Sequence, residues 1–152
     1  MAYKTIKVMG DPVVKEYVAA GAITPGHLVE LDTNGKIQAH STAGGSAQKR
    51  FALEDENQGK EIGDAYSTGN IVKTGVFKPG DEVYALLADG ETATKHSLLE
   101  SYGDGTLRVV DTDASAGEIA VHSIVGEALE ALDMSGSSGE DPSSNRILIE
   151  IW

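Results

Sequence analysis

Apolar and polar residues alternate along this chain over short runs separated by turn dipeptides, which is the pattern of half-buried strands. Ile6 and Val8 flank Lys7 near the start, and Ile37-Gln-Ala-His40, Asn70-Ile-Val-Lys-Thr74 and Thr106-Leu-Arg-Val-Val110 follow the same rule. At the far end, Arg146 to Trp152 puts Ile147, Ile149 and Ile151 on one face and Leu148, Glu150 and Trp152 on the other. That alternation predicts a strand tied into a sheet. Four segments read less clearly. Val125 to Leu132 has helical spacing and propensity, although the preceding Ile119 to Ile124 leans to strand. Val13 to Ala20, Ala47 to Glu56 and Ser97 to Glu100 are each read as a short turn or helix. The fold class predicted is mainly β, with hairpins and one or two short helices.

A repeat organises these strands. Gly21-Ala-Ile-Thr-Pro25-Gly26-His-Leu-Val29 runs through Leu31 to Asn34-Gly35, and Gly75-Val-Phe-Lys-Pro79-Gly80-Asp-Glu-Val83 runs through Leu87 to Asp89-Gly90. Pro-Gly suits a type II turn, with Pro fixing φ at the first central position and Gly accepting a positive φ at the second. Asn-Gly and Asp-Gly favour the type I′ turn that closes a hairpin. Pro25, Gly26, Pro79 and Gly80 are therefore expected to be structural turns, each opening a strand and a hairpin. Segments 41–46, 57–69 and 135–144 have loop composition, and the last is a connection between strands because only eight residues follow it.

Composition narrows the functional classes. The chain has 152 residues, no cysteine and a formal charge of −12. Thiol catalysis, cysteine-ligated zinc and a disulfide framework are excluded. A nucleic-acid partner is not expected without a basic face. The charge is uneven. Residues 1–20 carry Lys4, Lys7 and Lys15 against Asp11 and Glu16, a net +1, which leaves −13 on the rest. No signal-peptide pattern opens the chain, and the longest apolar stretch, Val83 to Ala88, is far short of a membrane span. A soluble protein made in the cytoplasm is expected, with no membrane partner.

Motifs that carry chemistry are scarce. Gly35-Lys36 and Gly59-Lys60 lack the glycine spacing and following hydroxyl of a phosphate loop, and no nucleophile elbow occurs. His27, His40, His96 and His122 are scattered and none forms a zinc-binding pair. Acidic clusters such as Glu54-Asp-Glu56 and Asp111-Thr-Asp113 read as solvated faces, and no calcium loop has the required ligand positions. No catalytic residue, metal ligand or cofactor is expected, and the chain does not read as an enzyme.

Taken in order, several elements resemble the head decoration (capsid cement) proteins of tailed bacteriophages, the lambda-like decoration family. They are Pro25-Gly26-His-Leu-Val29, Gly69-Asn-Ile-Val72, Lys78-Pro-Gly-Asp-Glu-Val-Tyr-Ala85, Val125-Gly-Glu-Ala-Leu-Glu-Ala131 and Arg146-Ile-Leu-Ile-Glu150. The resemblance implies a small β-barrel or β-tulip-like domain over residues 21–152, preceded by an N-terminal arm and lead-in over residues 1–20. It implies a strand rather than a helix at 125–132. It also implies a homotrimer on the outer surface of the expanded head, at three-fold and quasi-three-fold sites, clamping neighbouring major capsid subunits against DNA pressure. The protein would be synthesised in the bacterial host cytoplasm and end in the virion. Its partners would be the major capsid protein and itself.

The arm has a pattern of its own. Tyr3, Thr5 and Lys7 alternate with Lys4, Ile6 and Val8, as in a strand able to add to an exposed sheet edge. These six residues are the candidate capsid-binding set. The same pattern also fits the first strand of the domain's own sheet. Two other function classes stay in view. A small β-barrel hydrolase would need convergent His, Ser and acidic residues in a pocket. A carbohydrate- or receptor-binding module displayed on a virion would need exposed aromatics in a groove.

Overall fold

The computed structural model describes residues 3–110, 123–136 and 145–152. Among them the first seven strands are β1 (Lys7–Met9), β2 (Val13–Val18), β3 (Val29–Leu31), β4 (Ile37–Ala39), β5 (Arg50–Ala52), β6 (Ile71–Val76) and β7 (Glu82–Leu86). The remainder are β8 (Thr92–Ala93), β9 (Leu98–Ser101), β10 (Leu107–Val109), β11 (Gly126–Ala128), β12 (Leu132–Asp133) and β13 (Arg146–Ile151). One 3-10 turn spans Glu56–Gln58.

A six-stranded sheet runs β1-β7-β13-β11-β9-β10, with every pair antiparallel. It curls until Leu107 of β10 makes a parallel bridge to Leu87, just beyond β7. That bridge is isolated, so the sheet stops short of a closed barrel. A three-stranded sheet, β2-β6-β5, packs beside it, with the β3-β4 hairpin and the small β8-β12 pair at the periphery. The main core fills the curl with Leu28, Phe51, Leu99, Leu107 and the three isoleucines of β13. A second core, around Ile23, Ile37, Tyr66 and Val72, lies under the smaller sheet. The predicted faces of β13 are the observed ones: Ile147, Ile149 and Ile151 are buried, whereas Leu148 and Glu150 are half-exposed.

Three of the segments read as turn or helix are strands. Val13 to Val18 is β2, Leu98 to Ser101 is β9, and Arg50 to Ala52 within the third is β5. β2 and β5 contain β-branched or aromatic residues suited to a strand, and β9, which has none, is held by ladder partners on both sides, β10 and β11. The segment at 125–132 forms strand β11 and the start of β12, as the resemblance implied.

Both Pro-Gly turns are type II. The His27 amide donates to the Thr24 carbonyl and the Asp81 amide to the Lys78 carbonyl, with Gly26 at φ +98° and Gly80 at φ +95°. The hairpin halves of the repeat diverge. β3 and β4 pair as expected, but Asn34 keeps a negative φ, so the tip is not type I′. The Asp32 carboxylate accepts the Asn34 and Lys36 amides and builds a different turn. In the second copy the chain does not return along β7 after Asp89-Gly90. β13 and β1 occupy both edges of β7, and β8 pairs with β12 instead. Of the loop segments, 41–46 is held by the Gly44 amide on the Ser101 carbonyl, and 57–69 contains the Ile23–Tyr66 bridge. Residues 137–144 of the third loop segment lie outside the described residues.

Candidate functional site

The six candidate arm residues share one stretch, and the structure uses them in two ways. Lys7 pairs with Val83 and Met9 with Glu82, with an irregularity at Val8, so β1 is an edge strand of the main sheet. Ile6 is fully buried, and its carbonyl accepts the Tyr84 amide at 2.8 Å. It is therefore a core residue and not available to a partner's pocket. The free-arm reading gives way to the first-strand reading for residues 6–9, because burying Ile6 and pairing β1 with β7 remove both its apolar surface and its main-chain groups from water.

Glu54 secures this lead-in. Read from sequence as part of a solvated acidic cluster, it is instead 9% exposed, and its two carboxylate oxygens accept the Thr5 hydroxyl at 2.6 Å and the Ile6 amide at 3.1 Å. A carboxylate that receives two donors tolerates burial that an unpaired one would not. Tyr3 lies edge-on to Tyr84, centroids 5.2 Å apart. Behind Tyr84, Arg146 reaches across with its guanidinium 5.9 Å from the ring and donates to the carbonyls of Pro25 and Ile62 at 2.9 and 2.6 Å. Burial and the nearby Glu130 carboxylate push the Tyr84 hydroxyl up, partly offset by Arg146. The first Pro-Gly turn, the last strand and the N-terminal lead-in are thus joined through one buried cation.

Above this floor lie two adjoining grooves. One, of about 560 Å³, runs between Tyr3, Lys4, Thr5 and the loop from Glu54 to Ile62. The other, of about 150 Å³, continues past Lys7, Glu54 and Lys73 to Val14 on β2. A third concavity, of about 450 Å³, is framed by the 55–71 loop with Tyr66. The Tyr66 hydroxyl donates to the Leu53 carbonyl at 2.6 Å, and burial with Asp55, Glu54 and Glu16 nearby pushes it up to about 12. Pro79 and Gly80 are exposed at a separate turn, tied to the end of β13 by the Gly80 amide on the Ile151 carbonyl.

A Ser-His-acid arrangement does occur away from these grooves. His40 Nδ1 is 2.7 Å from the Ser101 hydroxyl, while its Nε2 is 3.1 Å from the Ser46 carbonyl and 3.6 Å from Glu30. The carbonyl contact assigns the proton to Nε2, so Nδ1 accepts from Ser101. Ser101 is fully buried and His40 nearly so, and the Ser101 oxygen also accepts the Gly103 amide. A nucleophile needs an open approach for its acyl donor, and this serine has none. Among the described residues no group of three His, Asp or Glu side chains is placed to hold a metal ion. His122 lies outside the described residues.

The exposed large apolar side chains mark a further feature that alternation alone had not exposed. Met9, Val13, Val14, Val18 and Ile71 lie along β1, β2 and the facing end of β6. Tyr102 and Trp152 are also exposed, but neither lines any of the three grooves.

No known protein-family profile matches the chain, and no curated protein is similar to it in sequence. The solved structures include a similar one, the N base of the head fiber protein gp8.5 in bacteriophage phi29. It is 12% identical, with a TM-score of 0.56 covering 93% of this chain and 95% of that one. The fold is therefore one that also serves as the base of a phage head fiber, over almost its full length.

Proposed function

We propose that the chain is a structural, non-enzymatic component of a bacteriophage head. The observation that carries this reading is the fold shared, end to end, with the head-fiber base. In the finer form of the proposal the protein binds the outside of the expanded head at three-fold and quasi-three-fold sites as a homotrimer. There it bridges neighbouring major capsid subunits and opposes DNA pressure. Its acidic surface supports the proposal, because net charge of the same sign as DNA disfavours unproductive binding to the genome it would help contain. So does the chemistry of the described residues: the His40–Ser101 pair is sealed in the interior.

The test is to assemble heads of the encoding phage without this protein, add it back, and separate bound from free by sedimentation. Saturable binding to expanded heads, with greater resistance to heat or chelator-induced rupture, is the expected result. No binding to expanded heads would overturn the reading. Light scattering on the free and bound protein decides the trimer, and a stable dimer would argue for a displayed binding module instead.

A further inference from the structure

We infer that the outer edge of β2, Val13–Val18, is an acceptor strand that an extended acidic-apolar segment of a shell protein joins as a fourth strand of the β2-β6-β5 sheet. The inference deepens the proposed function and rests on it for the identity of the partner.

The main-chain geometry comes first. β2 pairs with β6 from Val13↔Val76 to Val18↔Ile71, and among the described residues its other side is met at the far end alone, where Ala19 makes a parallel bridge to Ile37 of β4. At its end the Ala19 amide donates to the Asn70 carbonyl at 2.8 Å. Antiparallel alternation then directs the peptide groups of Val13, Lys15 and Tyr17 toward β6 and those of Val14, Glu16 and Val18 away from it. The Thr74 hydroxyl bonded to the Lys15 carbonyl agrees with that phase. The Ala19–Ile37 bridge covers the outward side at Val18, and among the described residues nothing hydrogen-bonds the outward groups of Val14 and Glu16. An edge with two free donors and two free acceptors, at Val14 and Glu16, is a template for strand addition.

The side chains then select the occupant. Val13, Val14 and Val18 are 53%, 48% and 38% exposed, which gives both faces of the edge apolar surface to cover. Lys15 makes no ion pair among the described residues, and neither do Lys4 and Lys7 on the adjoining lead-in, in a chain with twice as many acids as bases. An incoming strand gains from an acidic residue beside Lys15 and apolar residues against Val14 and Val18. Glu16 already faces Lys73 across the ladder. A second copy of β2 fits poorly. A two-fold axis through an antiparallel sheet pairs residues of like parity, so in the two registers of greatest overlap either Lys15 meets Lys15 or Glu16 meets Glu16.

Glu16→Pro tests the inference, because it removes an outward amide and leaves the β6 ladder intact, with Glu16→Thr as control. With an unchanged thermal midpoint, Glu16→Pro is expected to weaken binding to heads assembled without the protein by at least ten-fold, while Glu16→Thr binds normally. Lys15→Glu is expected to weaken binding several-fold and to flatten its salt dependence. Should Glu16→Pro fail to fold, hydrogen exchange on the wild type reads the same contact. The amides of Val14 and Glu16 should gain protection on heads, and unchanged exchange there would overturn the inference. Normal head binding by folded Glu16→Pro would overturn it and leave the proposed function standing, as would loss of self-association with head binding intact. If the wild type does not bind heads at all, the functional reading fails and the acceptor strand is judged with a synthetic peptide of alternating Val and Asp. Protection of those two amides by that peptide, and not by a Val and Lys counterpart, supports it; no protection overturns it.

Discussion

At the residue scale, the two Pro-Gly turns look equivalent in sequence and are not equivalent in space. A Cβ on Gly80 would meet nothing within 4 Å, whereas one on Gly26 would lie 2.7 Å from the Arg146 guanidinium and 3.1 Å from the Tyr84 carbonyl. Gly80→Val therefore incurs only the strain of a positive φ, about 1–2 kcal/mol. Gly26→Val adds overpacking of roughly 1–3 kcal/mol and displaces a buried cation from its carbonyl partners. Denaturant melts should show the Gly26 variant to be the less stable by more than 1 kcal/mol. Equal losses would mean that the turn alone, and not the Arg146 junction, sets the cost. The Glu54 clamp gives a second contrast. Glu54→Ala leaves the Ile6 amide without its acceptor in a buried place and is expected to cost about 1–3 kcal/mol, while Glu56→Ala on the exposed side of the same cluster should change stability by less than about 0.5 kcal/mol.

Elements show where sequence reading succeeded and where it failed. Alternation was enough for β13, because it buries one face and the period-two pattern records that face directly, while the β3-β4 hairpin was legible from its flanking turn dipeptides. It was not enough for β2. Val13-Val-Lys-Glu-Tyr-Val18 is an edge strand open on much of both faces, so its composition carries little period-two signal. Nor could spacing reveal that β13 would occupy the edge of β7 where a hairpin return was expected, since that contest is between segments about 60 residues apart. The grooves were illegible for the same reason: Glu54, Tyr84 and Arg146 come together from three distant strands and loops. The lead-in tests this account. Removing residues 1–9 deletes Ile6 from the core and uncovers the edge of β7. We expect a loss of about 2–5 kcal/mol, from the buried isoleucine alone, and visible broadening of core resonances. A truncated protein as stable as the full chain would return residues 1–9 to the status of a detachable arm.

For the whole molecule the governing quantity is charge. A net −12 spread over a 15.9 kDa chain with a pI near 4.6 repels itself at neutral pH, most strongly when salt is low. Added salt at pH 7 should therefore raise the thermal midpoint. Lowering the pH toward 5 should do the same as the net charge falls. The opposite trend sets in below that. Burial alone would push the Glu30 carboxyl up, but bonds from the Ser41 hydroxyl and amide and from the Gln38 side chain, with a contribution from His40, outweigh it and hold Glu30 below 4.5. A carboxyl whose folded value is depressed stabilises the fold above its unfolded value, and that contribution is lost as pH falls through the folded one. Bonds from Ser135 and Thr92 act in the same direction on the exposed Asp133. The midpoint plotted against pH should thus rise from 7 to about 5, then fall as pH drops from the ordinary carboxyl value of 4.5 through the lower folded value of Glu30. Glu30→Gln, which keeps an acceptor for Ser41 but has no charge to lose, should flatten the acid limb and leave the limb above pH 5 almost unchanged. Scanning calorimetry at several salt concentrations measures both limbs. An acid limb identical in Glu30→Gln would place the sensitivity elsewhere among the 24 acids, and a midpoint independent of salt at pH 7 would remove self-repulsion as the cause of the neutral limb.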